Sequence, residues 1–361
     1  MRYGNEFRNR DDVKRLVELI KSSKSSNINI MEVCGTHTMS IAAAGIKQML
    51  PPYIRLISGP GCPVCVTPSE RIDDACSLSM NKDIIIATYG DMLRVPGTRK
   101  DISLERSRSR GADVRIVYSS MDALNIAVNN KSKEVVFLGI GFETTAPATS
   151  IAIIEAGNSN IKNFSVLCLH KTVEPVLRGL LESDEVKVDA FLLPGNVSVI
   201  LGQKGFEFLQ KDYKIPGVIA GFEPSDILKA IYMIMKQLES GSCELENEYT
   251  RLVSYEGNKT AQKAIYDVLE PYDDIWRGLG IIKASGLRIK DRYRQFDAGV
   301  KMNIKYTDEV KNTACMCGQV LKGVIESVEC PLFGDECCPD SPVGPCMVSS
   351  EGSCAAAYKY R

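Results

Sequence analysis

The sequence predicts an α/β fold: two αβ lobes with parallel sheets that face a central cleft, followed by an irregular C-terminal domain. Short, apolar, β-branched runs recur along the chain, and the gaps between them are long enough for helices. Strands of a parallel sheet are covered on both faces, so they read as continuous apolar runs. The predicted strands are 28–33, 54–58, 83–88, 114–118, 134–140, 164–170, 188–193 and 218–220.

Helix-like segments alternate with these strands, and a short repeat indicates that the strands form two sheets. Gly-Phe-Glu follows a strand at 141–143 and again at 221–223. We therefore predict an αβ lobe at 1–130, a second at 131–240, and a C-terminal domain at 241–361, where the alternation stops. The predicted helices are 69–80, 122–130, 146–156, 173–182 and 225–238.

Charge and composition exclude several functional classes. The net charge is −1, so the basic surface typical of nucleic-acid binding is missing overall. The sequence contains no run of eighteen apolar residues, so no membrane span is predicted. The chain begins Met1-Arg2-Tyr3-Gly4 without an apolar leader, so we expect a cytoplasmic protein. In that compartment clustered cysteines bind metals or carry redox chemistry more often than they form structural disulfides.

Unusual polar turns follow five of the predicted strands. Because the carboxyl ends of parallel strands meet at one edge, where ligands bind, we expect these turns to line one shared cleft. The turns begin at Cys34, Gly59, Tyr89, Gly141 and Pro194.

Cys62 and Cys65 form a CxxC motif between a strand and a predicted helix. A helix N-terminus lowers the pKa of a nearby thiol, which favours a redox-active pair. Half of a four-cysteine zinc site is the alternative, but no second CxxC is present to complete it.

Cys34 and His37 lie three residues apart after the first strand. They fit a nucleophile with its base, or a metal ligand with a neighbouring partner. A buried free cysteine is the ordinary alternative. Cys76, Cys168 and Cys243 lie inside a helix, a strand and a polar stretch, and we assign them no function.

The C-terminal 47 residues contain seven of the thirteen cysteines. Cys315, Cys330, Cys337 and Cys354 have the spacing C-x14-C-x6-C-x16-C in a segment rich in Pro and Gly, which has too little apolar material for its own core. Zinc, an iron–sulfur cluster or disulfides would each stabilise this C-terminal segment. The wide gaps favour a four-iron cluster, because zinc prefers closely spaced pairs. Spacing alone leaves three further cysteines as alternative ligands: Cys317, Cys338 and Cys346.

Over the whole chain, these motifs resemble those of the HypD family of [NiFe]-hydrogenase maturation factors. The resemblance rests on four segments: Cys34-Gly35-Thr36-His37-Thr38, Gly59-Pro60-Gly61-Cys62-Pro63-Val64-Cys65, Gly141-Phe142-Glu143-Thr144-Thr145, and the C-terminal cysteine frame. It implies a redox-active assembly scaffold rather than a turnover enzyme. On this scaffold the Fe(CN)2CO group is built together with the chaperone HypC, using cyanide delivered by HypE.

The resemblance also implies roles for individual residues. A [4Fe-4S] cluster would be bound by Cys315, Cys330, Cys337 and Cys354. Cys34 would bind the iron of Fe(CN)2CO beside His37, Cys62 and Cys65 would be the redox pair, and residues 141–145 would surround the bound group. The family has histidine where this chain has Asn196. Asn cannot transfer a proton near neutral pH, so the function of this chain cannot depend on an acid or base at position 196.

Two other functional classes remain open on the sequence. One is a stand-alone iron–sulfur thiol–disulfide reductase, which would turn over a disulfide substrate many times. The other is a zinc-stabilised binding module without redox function.

Overall fold

The computed structural model describes residues 9–23, 27–306 and 314–360. The first four residues, on which the expectation about a leader rests, lie outside this part of the chain. All eight predicted strands are present within a residue or two of their expected bounds. The strands are β1 Ile28–Glu32, β2 Ile54–Ser58, β3 Ile84–Thr88, β4 Asp113–Ile116, β5 Glu134–Gly141, β6 Phe164–His170, β7 Ala190–Pro194, β8 Gly217–Ala220, β9 Leu245–Asn247, β10 Leu269–Trp276 and β11 Gly280–Ile289.

The first nine strands form two parallel sheets, which confirms the predicted α/β class. The first sheet has the order β2-β1-β7-β8-β9 and the second has the order β4-β3-β5-β6. β10 and β11 pair antiparallel as a separate two-stranded ribbon with an irregularity between Tyr272 and Asp274. β9 was not predicted, because three residues in a polar stretch carry too little apolar pattern to indicate a strand.

The two sheets draw strands from both sides of residue 130. β1 and β2 share a sheet with β7 and β8 from the second predicted lobe, through the pairing of β1 with β7, and β3 and β4 share the other sheet with β5 and β6, through the pairing of β3 with β5. The first sheet is therefore discontinuous in the chain, and the second is inserted into it. Apolar runs show where strands lie, but their neighbours depend on long-range contacts such as Ile30 opposite Ala190.

Helices cover both faces of the sheets, as parallel strands require. No helix in the part of the chain described here is long and apolar enough to cross a membrane. The helices are α1 Arg10–Lys21, α2 Gly35–Ala43, α3 Ile46–Met49, α4 Pro63–Val66, α5 Ser69–Ser79, α6 Leu104–Ser109, α7 Ser120–Asn129, α8 Ala146–Asn158, α9 Val173–Leu181, α10 Gly195–Leu201, α11 Pro224–Ser240, α12 Lys259–Val268, α13 Ala298–Lys301, α14 Cys317–Leu321 and α15 Ser353–Lys359. Short 3-10 helices lie at Gly90–Met92, Gln203–Phe206, Asp291–Phe296, Ser327–Glu329 and Pro345–Met347, and a π-helical turn at Leu209–Tyr213.

Residues 314–360, the C-terminal segment, are irregular as predicted and pack back onto the two sheets, whereas residues 241–306 of the predicted C-terminal domain contain regular strands and helices. Within the C-terminal segment, α14 and α15 are short, and the remainder is turns and 3-10 helix. Its apolar side chains join the cores of the lobes rather than form a separate one: Leu321 packs with the core of the first sheet, and Cys317 and Cys346 pack with residues of the second. The segment is therefore held in place by the lobes as well as by its own turns.

A buried ion pair joins the second sheet to the β10–β11 ribbon. Lys171, directly after β6, donates to Asp274 and to the carbonyl of Ile275 at 2.8 Å, and its ammonium lies over the ring of Trp276. Both charged side chains are almost fully buried. Removing one partner of such a pair leaves a buried charge without compensation.

We therefore expect Lys171→Met to lower the free energy of unfolding by about 3–5 kcal/mol. Adding Asp274→Leu should recover much of that loss, because the stranded carboxylate is then gone as well. Denaturant unfolding of the wild type, both single variants and the double variant measures the coupling. If the double variant lost the sum of the two single losses in unfolding free energy, Lys171 and Asp274 would be uncoupled and this expectation would be wrong.

Candidate functional site

The carboxyl ends of five parallel strands surround one cavity of about 250 Å³. β1, β2 and β7 reach it from the first sheet, and β3 and β5 reach it from the second. The prediction that strand-end turns share one cleft is therefore confirmed. Its polar and thiol side chains are Cys34, Asp91, Thr144, Thr145, Asn196 and Glu351.

Cys34 follows β1 and is the N-cap residue of α2, so the strand-to-helix turn holds its side chain at the cavity. The thiol is only 4% exposed and lies 3.7 Å from Oδ1 of Asn196. Burial raises the pKa of Cys34 to about 12. Gly61 packs so closely here that a Cβ atom on it would collide with the Cys34 backbone.

His37 is buried behind the cavity rather than lining it. Its Nε2 donates to the carbonyl of Gly221 at 2.8 Å, and its ring packs on Phe222 with centroids 4.7 Å apart. Burial lowers the pKa of His37 to about 4, so the ring is neutral near pH 7. The imidazole thus joins α2 to the turn after β8, and the base role predicted beside Cys34 stays a prediction.

Cys62 and Cys65 form a disulfide with Cα atoms 5.2 Å apart, within the range of about 4.4–6.8 Å that such a bond requires. Cys62 is the N-cap residue of α4, and its sulfur accepts from the N–H of Cys65 at 3.2 Å. Both residues are buried. α4 has only four residues, so the helix dipole that we expected to lower the thiol pKa is that of a single turn.

A polar chain leads from this disulfide to the cavity. The hydroxyl of Ser349 lies 3.3 Å from Sγ of Cys62 and 3.4 Å from Oδ2 of Asp91. Ser350 also donates to Asp91, through its N–H and its hydroxyl. Asp91 therefore ties the C-terminal segment to the turn after β3.

The turn at 141–145 presents only part of its sequence to the cavity. Gly141 has a φ of +147°, which favours glycine, and a Cβ atom there would collide with Thr145. Glu143 instead points inward: its Oε1 accepts from the N–H of Val173 at 2.9 Å, and its Oε2 has no partner among the described residues. Burial raises the pKa of Glu143 to about 7. The binding role expected of this turn stays a prediction.

The four cysteines of the C-x14-C-x6-C-x16-C spacing line a second, smaller cavity. Two of the three cysteines that the sequence left as alternative ligands line it with them. Cys338 does not line it, and its backbone bonds instead to Ser341. Burial and neighbouring sulfurs raise the pKa values of the Cys346 and Cys354 thiols. The cysteines at this cavity are Cys315, Cys317, Cys330, Cys337, Cys346 and Cys354.

This set of side chains suits a soft, thiolate-bound metal group. The other residues at the cavity are mostly apolar, with no carboxylate or imidazole among them. No three cysteine, histidine or acidic side chains in the described ranges are arranged to hold one metal ion. The void is only about 20 Å³, so a multi-iron cluster requires the thiols to spread outward. Its iron–sulfur identity stays a prediction.

The disulfide and the cysteine cavity belong to one packed cluster. Cys62 and Cys65 share a buried apolar core with Cys317 and Cys346, and Cys315 and Cys354 pack against it. Sequence reasoning did not place these motifs together, because about 250 residues separate them in the chain.

Three further residues at the site were given no role from the sequence, although Ser349 belongs to the segment 346–349 inside the cysteine spacing on which the family resemblance rests. Asp91 lies in a strand-end turn that was noted only for its position, and Ser349 and Glu351 lie between framed cysteines. Glu351 accepts from the hydroxyl of Thr36 at 2.7 Å. Nothing local in the sequence signals these contacts, since they join the C-terminal segment to β1 and β3.

These features define an α/β protein in which two parallel sheets and a cysteine-rich C-terminal segment enclose a thiol-bearing cleft. The family model for HypD, described as the Hydrogenase formation hypA family, matches residues 11–361. The chain therefore belongs to the HypD family of hydrogenase maturation factors.

Bacterial and archaeal proteins are similar to this chain over nearly their whole lengths. The hydrogenase maturation factor HypD of Cupriavidus necator is 43% identical, with 100% of this chain and 97% of that protein covered. HypD of Escherichia coli is 43% identical, with 100% and 98% covered. A putative hydrogenase expression/formation protein of Methanocaldococcus jannaschii is 44% identical, with 97% of both covered.

The buried carboxyl group of Glu143 should give the protein a pH-dependent stability. Because its pKa is raised, the folded chain keeps a proton between pH 4.5 and about 7 that the unfolded chain releases. Stability from this group is thus lost as the pH rises through that window. The free energy of unfolding of Glu143→Gln, taken relative to wild type, should therefore rise by up to about 3 kcal/mol between pH 4.5 and pH 8. Denaturant unfolding at both pH values checks this, and a difference that does not change with pH would contradict it.

Proposed function

We propose that this protein is the scaffold on which the Fe(CN)2CO group of [NiFe]-hydrogenase is assembled. It acts in complex with a HypC-like chaperone and receives cyanide from a HypE-like donor. Membership of the HypD family supports a role in hydrogenase maturation. The observation that carries the finer proposal is the position of Cys34 at the cleft between the two sheets.

Cys34 supplies one soft ligand and leaves room for the others. A thiolate suits an iron whose remaining ligands bind through carbon. A single protein thiol cannot complete the coordination of this iron, which explains the need for CO, cyanide and a partner with its own thiolate. Because burial keeps the Cys34 thiol protonated, iron binding must displace its proton.

The C-terminal cysteines and the disulfide supply redox capacity in this proposal. Cys315, Cys330, Cys337 and Cys354 would hold a [4Fe-4S] cluster, with Cys317 and Cys346 near enough to replace a ligand. When bound, such a cluster supplies electrons one at a time. Reduction of the Cys62–Cys65 bond takes up two electrons and two protons and yields two thiols. In this proposal the hydroxyl of Ser349, which contacts both Sγ of Cys62 and the carboxylate of Asp91, passes one of these protons to Cys62.

The burial of the disulfide favours the scaffold over a stand-alone reductase. Cys62 is 4% exposed and Cys65 is fully buried, so a protein disulfide could not reach either sulfur without a structural change. Many turnovers with a generic disulfide substrate would favour the reductase, and none would favour the scaffold. We place the assembly in the cytoplasm, where the cysteines outside this pair are kept reduced.

We expect Cys34→Ala to abolish the infrared bands of iron-bound CO and cyanide in the complex with the HypC-like partner. The colour of the C-terminal cluster should remain, because Cys34 does not line that cavity. Cys168→Ala is the matched control, since it removes another thiol whose pKa burial also raises to about 12. Bands at full strength in the Cys34→Ala complex would show that Cys34 has only a structural role.

We expect Cys330→Ala to lose the iron–sulfur colour and to expose residues beyond about 300 to protease. Cluster binding and the order of this segment should be coupled, because the segment has little apolar core of its own. Cys338→Ala is the control, because Cys338 does not line the cavity. Iron analysis, absorbance and limited proteolysis measure the outcome. Full iron content with an intact C-terminal segment in Cys330→Ala would refute the assignment of Cys330.

A further inference from the structure

Arg277 is a buried cation that pairs with no carboxylate among the described residues. The residue is 6% exposed and directly follows β10. Its Nη1 donates to the carbonyl of Pro96 at 3.3 Å, but Nε and Nη2 find no hydrogen-bond partner in the part of the chain that the structure describes. A buried guanidinium in this condition is strongly destabilising unless an anion is supplied.

Lys171, another buried cation among the described residues, is paired fully, which makes the contrast informative. Its ammonium lies over the ring of Trp276, the residue before Arg277, and it has both a carboxylate and a carbonyl acceptor. Packing of the β10–β11 ribbon therefore does not by itself leave cations unpaired. The missing partner is particular to Arg277.

Arg277 lies between the disulfide turn and the cysteine cavity. Its backbone N–H donates at 2.8 Å to the carbonyl of Val66, the last residue of α4. The next residue, Gly278, packs against Gly318, and a Cβ atom on it would lie 3.4 Å from Sγ of Cys317. The positive charge interacts through space with the Cys315 and Cys346 side chains.

We propose that Arg277 is the counter-charge of the metal cluster held in the cysteine cavity and that it raises the reduction potential of that cluster. The proposal rests on the cluster proposed above. Four thiolates outweigh the positive charge of the iron–sulfur core, so the oxidised site is an anion that could satisfy the guanidinium. Reduction adds one electron and therefore one more negative charge. A fixed cation nearby stabilises the reduced state more than the oxidised state, which raises the potential.

Arg277 is in this account a positioning residue rather than a catalytic one. Removing the charge should make the cluster harder to reduce while leaving its ligands in place.

The test is a redox titration of the anaerobically purified full chain with dithionite and mediators, followed by the electron paramagnetic resonance of the reduced cluster. Arg277→Met should shift the one-electron equilibrium at least tenfold toward the oxidised state, which is a fall of 59 mV in midpoint potential. Arg277→Lys should keep most of the wild-type potential, because it keeps the charge. Arg55→Gln, which removes a partly exposed arginine paired with Glu326, is the control and should leave the potential unchanged.

The outcomes distinguish the role proposed for Arg277 from the cluster assignment on which it rests. A fully loaded Arg277→Met protein with an unchanged midpoint potential would overturn the role of Arg277 and leave the cluster assignment standing. Wild-type protein without iron and sulfide would overturn both. If Arg277→Met cannot retain the cluster, Arg277→Lys decides: a loaded lysine variant with a near-native potential supports the charge, and loss of the cluster there as well overturns it.

Discussion

The parallel pairing of β1 with β7 is the contact on which the rest of the site depends. It joins Ile30–Glu32 to Ala190–Leu192 and so brings the turn at Cys34 beside the turn at Asn196. The strands between them in the chain form a separate sheet, whose own turns supply Asp91 and Thr145 from the opposite side. One strand pairing thus determines which residues face each other across the cavity.

Much of the fold could be predicted from the sequence, because a parallel strand covered on both faces must be a continuous apolar run. All eight such runs became strands, and the motifs after them reached one cleft. The pairing order could not be predicted, since Ile30 and Ala190 carry no local signal of their contact. The short polar strand β9 was missed for the related reason that its place is decided by β8 rather than by its own pattern.

The candidate site likewise contains residues that the sequence predicts and residues that only the structure reveals. Cys34, Cys62, Cys65 and the C-terminal cysteines are recognisable because their spacing is unusual in the chain itself. Ser349, Glu351 and Arg277 become meaningful only through neighbours that are distant in sequence. Arg277 is the clearest example, because nothing about an arginine after a strand predicts that its guanidinium is buried with no paired carboxylate among the described residues.

The contacts of Ser349, Ser350 and Glu351 with Asp91 and Thr36 have a consequence for biosynthesis. The two sheets are complete by Asn247, so the ribosome releases every strand around the cleft well before it releases the residues that close it. A nascent chain therefore presents Cys34 and the CxxC turn in an open groove. Domains fold as units during synthesis, and this cleft is sealed only after the C-terminal segment has been translated and folded back. The order of translation therefore keeps the cavity at Cys34 open until the chain is finished.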